Sequence, residues 1–274
     1  MDRRLGSFAW VELVTTDLPS SKVFYSSLFG WAASDMLLDG VPYTVLTVRD
    51  REVGGMTALS KEARKLGQPS YWFSYVSVDD AEGLAAKAAA LGGQVLVGPL
   101  QMGPANVAVL KDPTGATFGL WQSLDEEGTF DEGQADVVRL NELATPDLAR
   151  AADFYASLFG WQELDGGPAG AGYKTFAHGD AIVAGMLQSE GPSPAAWTVY
   201  FSVTDAERTI EKATYLTASA VVPLHEIPDV GRMAVLADPR GAVFAVFERL
   251  GGVVEEAKES AEPTVRVRLG SNPS

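Results

Sequence analysis

The segment Phe24-Tyr25-Ser26-Ser27-Leu28-Phe29-Gly30-Trp31 returns as Phe154-Tyr155-Ala156-Ser157-Leu158-Phe159-Gly160-Trp161, changed only where Ala156 replaces Ser26. A second pair follows in the same order, Asp112-Pro113-Thr114-Gly115-Ala116-Thr117-Phe118 and Asp238-Pro239-Arg240-Gly241-Ala242-Val243-Phe244. Two matches in one order, with only loop lengths drifting, mark a duplicated unit, and such a unit has to fold twice in the same way. A length of 274 residues leaves each copy enough chain to bury a core of its own. The first copy is expected over residues 1–123 and the second over 136–250. Residues 124–135 are acidic and aperiodic and read as a linker, and residues 251–274 as a loosely held polar tail.

Within each copy the pattern is strand, helix, strands, and then a restart. From Phe8 to Val14, Phe8, Trp10, Glu12 and Val14 share one face, and Ala9, Val11 and Leu13 the other. Both faces are largely apolar, which predicts a strand covered on two sides. A helix follows Asp17, and Gly30 stands where a left-handed residue would end it. In the second copy Thr145-Pro146-Asp147 supplies an N-cap candidate with proline at the first helical position. Phe24 and Leu28, like Phe154 and Leu158, lie one helical turn apart, a stripe suited to packing on a sheet. Strands are expected around Tyr43–Val48 and Val53–Ala58. The restart is a strand at Trp72–Val78 and a helix from about Asp80 to Leu91, stopped by Gly92-Gly93. Strands around Val95, Val107–Lys111 and Ala116–Gln122 close the copy. Each copy is thus α+β, built as βαβββ twice.

Composition removes several functions. The formal net charge of −15 repels nucleic acid and anionic membranes, and would steer a cationic ligand inward. The absence of cysteine removes disulfides, thiolate metal sites and cysteine nucleophiles. No apolar stretch approaches the roughly 18 residues that span a bilayer, and Met1 to Ser7 holds no signal-like apolar run, so a cytoplasmic protein is expected. There is no phosphate-binding loop, dinucleotide fingerprint or nucleophile elbow. The glycine-rich run Gly166 to Gly172 precedes no helical pattern and reads as a loop at the edge of a site.

The run Glu12-Leu13-Val14-Thr15-Thr16-Asp17, the Phe-Tyr-x-x-Leu-Phe-Gly-Trp helix end and the Asp-Pro-x-Gly-Ala turn together resemble the vicinal oxygen chelate superfamily of glyoxalases, bleomycin resistance proteins and extradiol dioxygenases. The resemblance runs through both copies, over roughly residues 6–122 and 136–248, and is greatest to two-domain actinobacterial members with hydroxylase-like labels. It implies two tandem domains, each a curved mixed sheet or cup with helices outside. In metal-dependent members His, Gln or Glu ligands enter the cup from the first and last strands. The corresponding positions here fall on Trp10 and Leu140, Phe73 and Thr198, and Gly119 and Ala245. Such side chains suit no divalent ion, so neither metal nor cofactor is expected. The chain's two histidines, His178 and His225, match none of these positions and read as surface or loop residues.

Alternation then fills the cups. Glu12 and Glu142 put a carboxylate among apolar neighbours, and Tyr75 and Tyr200 a hydroxyl nearby. These four are the candidate catalytic residues, against a structural reading in which each Glu simply anchors its strand. Trp10, Tyr43, Phe73, Gly119 and Trp121 in the first copy, with Leu140, Tyr173, Thr198, Ala245 and Phe247 in the second, are the candidate ligand contacts. Gly119 and Ala245 are expected to leave volume for a ligand. Burial would raise the pKa of either Glu, which fits a general base or a counter-ion to a cation. Three functions follow: metal-free binding of an aromatic or cationic natural product, for sequestration or resistance; metal-free tailoring chemistry, hydroxylase- or isomerase-like, run by Glu and Tyr; or a glyoxalase or dioxygenase with relocated ligands. The partner expected is a small molecule, and the chain acts as a monomer through pairing of its two domains, or as a homodimer.

Overall fold

The structure, a computed structural model, describes residues 5–124, 137–164, 172–190 and 194–249. The linker from residue 125 onward, most of the glycine-rich run and the C-terminal tail lie outside the described residues.

In chain order the first copy holds β1 (Phe8–Thr15), α1 (Leu18–Phe29), β2 (Ala32–Leu38), β3 (Val41–Val48), β4 (Arg51–Ala58), α2 (Lys61–Lys65), β5 (Tyr71–Ser77), α3 (Ala81–Ala90), β6 (Gln94–Met102), β7 (Ala105–Lys111) and β8 (Thr117–Ser123). The second holds β9 (Val138–Thr145), α4 (Leu148–Phe159), β10 (Gln162–Leu164), β11 (Tyr173–His178), β12 (Ala181–Gln188), β13 (Ala196–Ser202), α5 (Ala206–Tyr215), β14 (Ser219–Ile227), β15 (Gly231–Ala237) and β16 (Val243–Arg249). Each copy forms one eight-stranded mixed sheet. The orders are β2-β3-β4-β1-β5-β8-β7-β6 and β10-β11-β12-β9-β13-β16-β15-β14. The two βαβββ modules of a copy therefore meet where their first strands pair antiparallel, β1 on β5 and β9 on β13. Each first strand is also parallel to the last strand of its own module.

Local chemistry starts and stops the helices as the repeat requires. Asp17 caps α1 by accepting the Ser20 N–H, and Gly30, at φ 76°, closes it in the left-handed region where a side chain is disfavoured. The cap of α4 is Asp147, whose carboxylate accepts the Arg150 N–H. This corrects the Thr145-Pro146 start: Thr145 Oγ1 instead accepts the Asp147 N–H, so Pro146 lies before the cap. Two elements carried no usable signal. β2 reads Ala-Ala-Ser-Asp-Met-Leu-Leu without alternation and is almost wholly exposed at the sheet edge, and α2 is a single short turn.

The two copies do not keep separate cores. One core joins Val76, Ala85, Leu110 and Phe118 of the first copy to Leu143, Phe154, Tyr155 and Trp161 of the second. The other joins Leu13, Phe24, Tyr25 and Trp72 to Phe201, Leu236 and Phe244. The repeated motifs bond across this interface. Tyr155 donates to Asp112 at 3.0 Å and Tyr25 to Asp238 at 3.0 Å. Each of those aspartates also accepts backbone N–H groups of its own turn. Lys87 donates to the Leu158 carbonyl and Lys212 to the Leu28 carbonyl, so each copy places a cation at the end of the other's first helix. The two signature motifs recur together because each completes its partner in the opposite domain.

Alternation along β1 holds from Trp10 onward, with Val11 and Leu13 in the shared core and Trp10 on the opposite face. It fails at Phe8. A register shift between Phe8 and Trp10 turns Phe8 into the shared core, 5.0 Å from Trp197 and 6.0 Å from Trp161 by ring centroids. The equivalent shift in β9, between Val138 and Leu140 opposite Phe201 and Tyr200, likewise sets Val138 against the other shared core.

Candidate functional site

On the face away from the shared cores each sheet carries a cup. In the first, Glu12 on β1 stands in register with Gly55 on β4 and Phe73 on β5. The next row sets Trp10 beside Tyr75, and Tyr75 beside Gly119. The second cup repeats both rows, as Gly185–Glu142–Thr198 and Leu140–Tyr200–Ala245. The candidate residues of each copy thus come together on adjacent strands. Glu12 and Glu142 lie in separate cups and build no common site.

Tyrosine reaches each carboxylate by crossing a glycine. Tyr43 donates to Glu12 Oε2 at 3.2 Å and accepts the Trp10 indole N–H at 2.9 Å. It lies over Gly55, where a Cβ would fall 2.0 Å from its hydroxyl oxygen. In the second cup Tyr173 lies over Gly185 in the same way and also donates to Glu142. Tyr200 donates to Glu142 Oε1 at 2.6 Å. Sequence reasoning missed Gly55 and Gly185. The signal was present, because Val53-Gly54-Gly55-Met56 and Val183-Ala184-Gly185-Met186 match across the repeat. It missed Met233, whose sulfur lies 3.8 Å from the Tyr200 hydroxyl oxygen, and Tyr71, whose hydroxyl lies in the field of Glu12.

The expected free volume at Gly119 is not there. A Cβ on Gly119 would stand 2.1 Å from the Tyr75 ring, so the small residue accommodates tyrosine. Ala245 is likewise buried against Tyr200 and Met233. The histidines divide. His225 is exposed on β14, and its charge lowers the pKa of Glu142. His178 is no surface residue: it ends β11 half-buried, its ring packed on Gly6 and its Nδ1 without a partner.

Burial pushes the Glu12 carboxyl up to about 7, against the opposing pull of the Tyr43 hydrogen bond. Glu142 is raised for the same reason, opposed by hydrogen bonds from Tyr200 and Tyr173 and by His225. Burial and the neighbouring carboxylate lift Tyr43, Tyr75, Tyr173 and Tyr200, so all four are neutral donors at physiological pH. Each cup therefore offers a carboxylate able to exchange a proton, a fixed phenol beside it and apolar walls.

Among the described residues no three His, Asp or Glu come together as a metal-binding group. The family's ligand positions hold Trp10, Phe73 and Gly119 in one cup and Leu140, Thr198 and Ala245 in the other. That set offers a single hydroxyl oxygen, and a divalent cation needs several carboxylate or imidazole donors. The residues present do not fit the superfamily's metal. A cleft of about 380 Å³, lined by residues including Lys22, Asp35, Met36, Pro42 and Tyr43, opens at the β2–β3 edge.

The sequence matches the Glyoxalase/Bleomycin resistance protein/Dioxygenase superfamily over residues 7–120 and 136–246. The chain belongs to this superfamily. It is 36% identical over 255 residues to "Putative glyoxylase CFP32" of Mycobacterium tuberculosis, covering 89% of this chain and 95% of that one. It is 31% identical over 269 residues to "Anthracycline biosynthesis protein DnrV" of Streptomyces peucetius, covering 89% and 93%. Among solved structures, the Mn(II)-bound glyoxalase from Novosphingobium aromaticivorans superposes with a TM-score of 0.65 at 14% identity, covering 89% of this chain and 82% of that one. The 2,3-dioxygenase LapB from Pseudomonas sp. KL28 gives 0.60 at 13% identity, covering 90% and 93%. At those identities the likeness speaks for the fold alone. No helix among the described residues is long and apolar enough to cross a membrane.

Proposed function

We propose that the chain is a metal-independent small-molecule-binding protein that holds a planar aromatic natural product in a cup, for sequestration or resistance. The observation that carries this reading is the exchange of donors for walls: the positions from which relatives would ligate an ion hold aromatic or apolar residues, with Thr198 the one polar side chain among them. A carboxylate fixed by tyrosine hydroxyls remains at the floor. Apolar walls with a few convergent polar groups are what an aromatic ligand requires. The net charge of −15 favours a ligand without negative charge, and the relative named for anthracycline biosynthesis points to polycyclic aromatic compounds.

Calorimetric titration of EDTA-treated protein tests it, with 9-aminoacridine as a cationic probe, quinizarin as a neutral one and anthraquinone-2-sulfonate as an anionic one. Saturable binding of the first or second, unchanged by added Zn, Mn or Fe, is the expected result. Binding that appears only when metal is restored contradicts the reading.

A second reading, tailoring catalysis, draws on the 2.6 Å hydrogen bond between Tyr200 and Glu142 together with the raised carboxyl. Such a couple can take a proton from a ligand and return it elsewhere. Chemical conversion of a bound aromatic substrate that Glu142→Gln abolishes, with binding retained, would select this reading over simple binding.

A further inference from the structure

The two cups have not stayed equal. Six equivalent wall positions can be compared: Trp10, Tyr43, Tyr71, Phe73, Tyr75 and Trp121 in the first cup become Leu140, Tyr173, Ala196, Thr198, Tyr200 and Phe247 in the second. Every one of the first set is aromatic, and only Tyr173, Tyr200 and Phe247 of the second.

The first set fills its own cup. Trp10 stacks on Trp121 at 5.7 Å, Tyr75 meets Phe73 at 4.9 Å, and Tyr71 meets Phe73 at 6.5 Å. As a result Trp10 and Phe73 are 9% and 8% exposed. The hairpin tips of the two modules then meet. Asp39, between β2 and β3, accepts the Gly103 N–H at 2.8 Å, and Leu38 lies against Gly103 while packing on the aromatic cluster.

Among the described residues the second cup lacks this filling; most of the tip between β10 and β11 lies outside them. Leu140, Tyr173 and Thr198 are only half-buried where Trp10, Tyr43 and Phe73 are buried, and Ala196 is exposed. Its floor is also richer in directed polar groups. Glu142 accepts from Tyr200 and Tyr173, with His225 acting on it from β14 and Thr198 beside it in register. An ionised carboxylate has about four acceptor sites. Two hydroxyl donors therefore leave room for a donor brought by a ligand, and a negative charge has no place there.

We propose that the second cup is the ligand site of this chain and that the first is a self-filled structural copy. The ligand is a planar, mostly apolar molecule that presents a hydroxyl or cationic nitrogen to Glu142 and lays its ring against Leu140 and Phe247. This assignment rests on the binding function proposed above, and two kinds of measurement separate their failures.

The first needs no ligand. The chain has no cysteine, so single thiols introduced by Thr198→Cys and Phe73→Cys report directly on access to each cup. Monobromobimane should label the thiol at position 198 about tenfold faster or more, because position 73 is reached only through local opening. The smaller side chain in Phe73→Cys loosens its cup, which biases the comparison against the proposal. Equal rates, or faster labelling at 73, overturn it.

The second is calorimetry with 9-aminoacridine and quinizarin. One site per chain is expected, lost in Thr198→Phe, which restores the first cup's ring, and weakened by about tenfold or more in Glu142→Gln, the loss of one charge-assisted hydrogen bond. The control Tyr71→Ala, in the first cup, should leave binding unchanged. Two sites per chain, or loss of binding in Tyr71→Ala with Thr198→Phe unaffected, overturn the assignment while leaving the binding function intact. Absence of binding by both probes, with position 198 still the more accessible, counts against the binding function instead.

Discussion

Glu12 is the sharpest probe of whether these carboxylates are as buried as their surroundings imply. Its carboxyl rises from 4.5 to about 7 in the folded chain. At roughly 1.4 kcal/mol per unit, the ionised group opposes folding by about 3 kcal/mol once the pH exceeds 7. Residual solvent contact of this half-buried residue trims that to about 1–3 kcal/mol. The sign follows from the direction of the shift. A carboxyl whose folded pKa is raised prefers its neutral form in the folded chain. Its contribution is fully present below 4.5, falls as the pH climbs, and is gone above about 7. Glu12→Gln removes the titration while keeping an oxygen to accept from Tyr43. The variant should therefore match the parent closely near pH 4 and be more stable at pH 8, gaining about 2–4 °C in melting temperature per kcal/mol. Thermal unfolding followed by circular dichroism across that pH range measures it. A difference that does not change with pH, or a variant less stable at pH 8, would refute the burial argument.

Three further outcomes follow from the same geometry. Tyr155→Phe, and equally Tyr25→Phe, removes a buried hydrogen bond to an aspartate of the other domain. Each should cost about 1.5–3 kcal/mol, with both domains still melting in one calorimetric transition because they share cores. Gly55→Ala puts a methyl where the Tyr43 hydroxyl lies. It should cost about 1–3 kcal/mol and push the Glu12 pKa higher still, read as an upward shift in the pH at which stability falls. Binding of 9-aminoacridine should strengthen as the pH rises through the raised pKa of Glu142, because only the ionised carboxylate attracts a cation. An affinity that stays flat or declines with pH would remove Glu142 from the contact.

The sequence made the scaffold readable because its strongest signals are the scaffold's own joints. Phe-Tyr-x-x-Leu-Phe-Gly-Trp and Asp-Pro-x-Gly-Ala recur because Tyr25 and Tyr155 bond to Asp238 and Asp112 across the domain interface. The pairing of Glu12 with Tyr43 was harder to see. Their facing depends on a close approach over Gly55, and glycine reports nothing of what crosses it until the strands are placed. Phe8 misled for a different reason: strict alternation assumes unbroken register, and the shift before Trp10 sends Phe8 into the shared core. Gly119 looked like vacant space because a small residue can make room for a neighbour as well as for a ligand, and here Tyr75 takes it. β2 was illegible because an exposed edge strand owes its place to hydrogen bonds with β3 rather than to buried side chains.

The central claim is that a metal-free cup holds an aromatic ligand. A crystal structure of the chain grown with 9-aminoacridine or quinizarin, with anomalous data collected at the Zn, Mn and Fe edges, tests it most directly. The account predicts the ring against Leu140 and Phe247 in the second cup, its donor within hydrogen-bond distance of Glu142, and no anomalous peak beside that carboxylate. A metal ion held by Glu142, or a probe bound outside both cups, would contradict it.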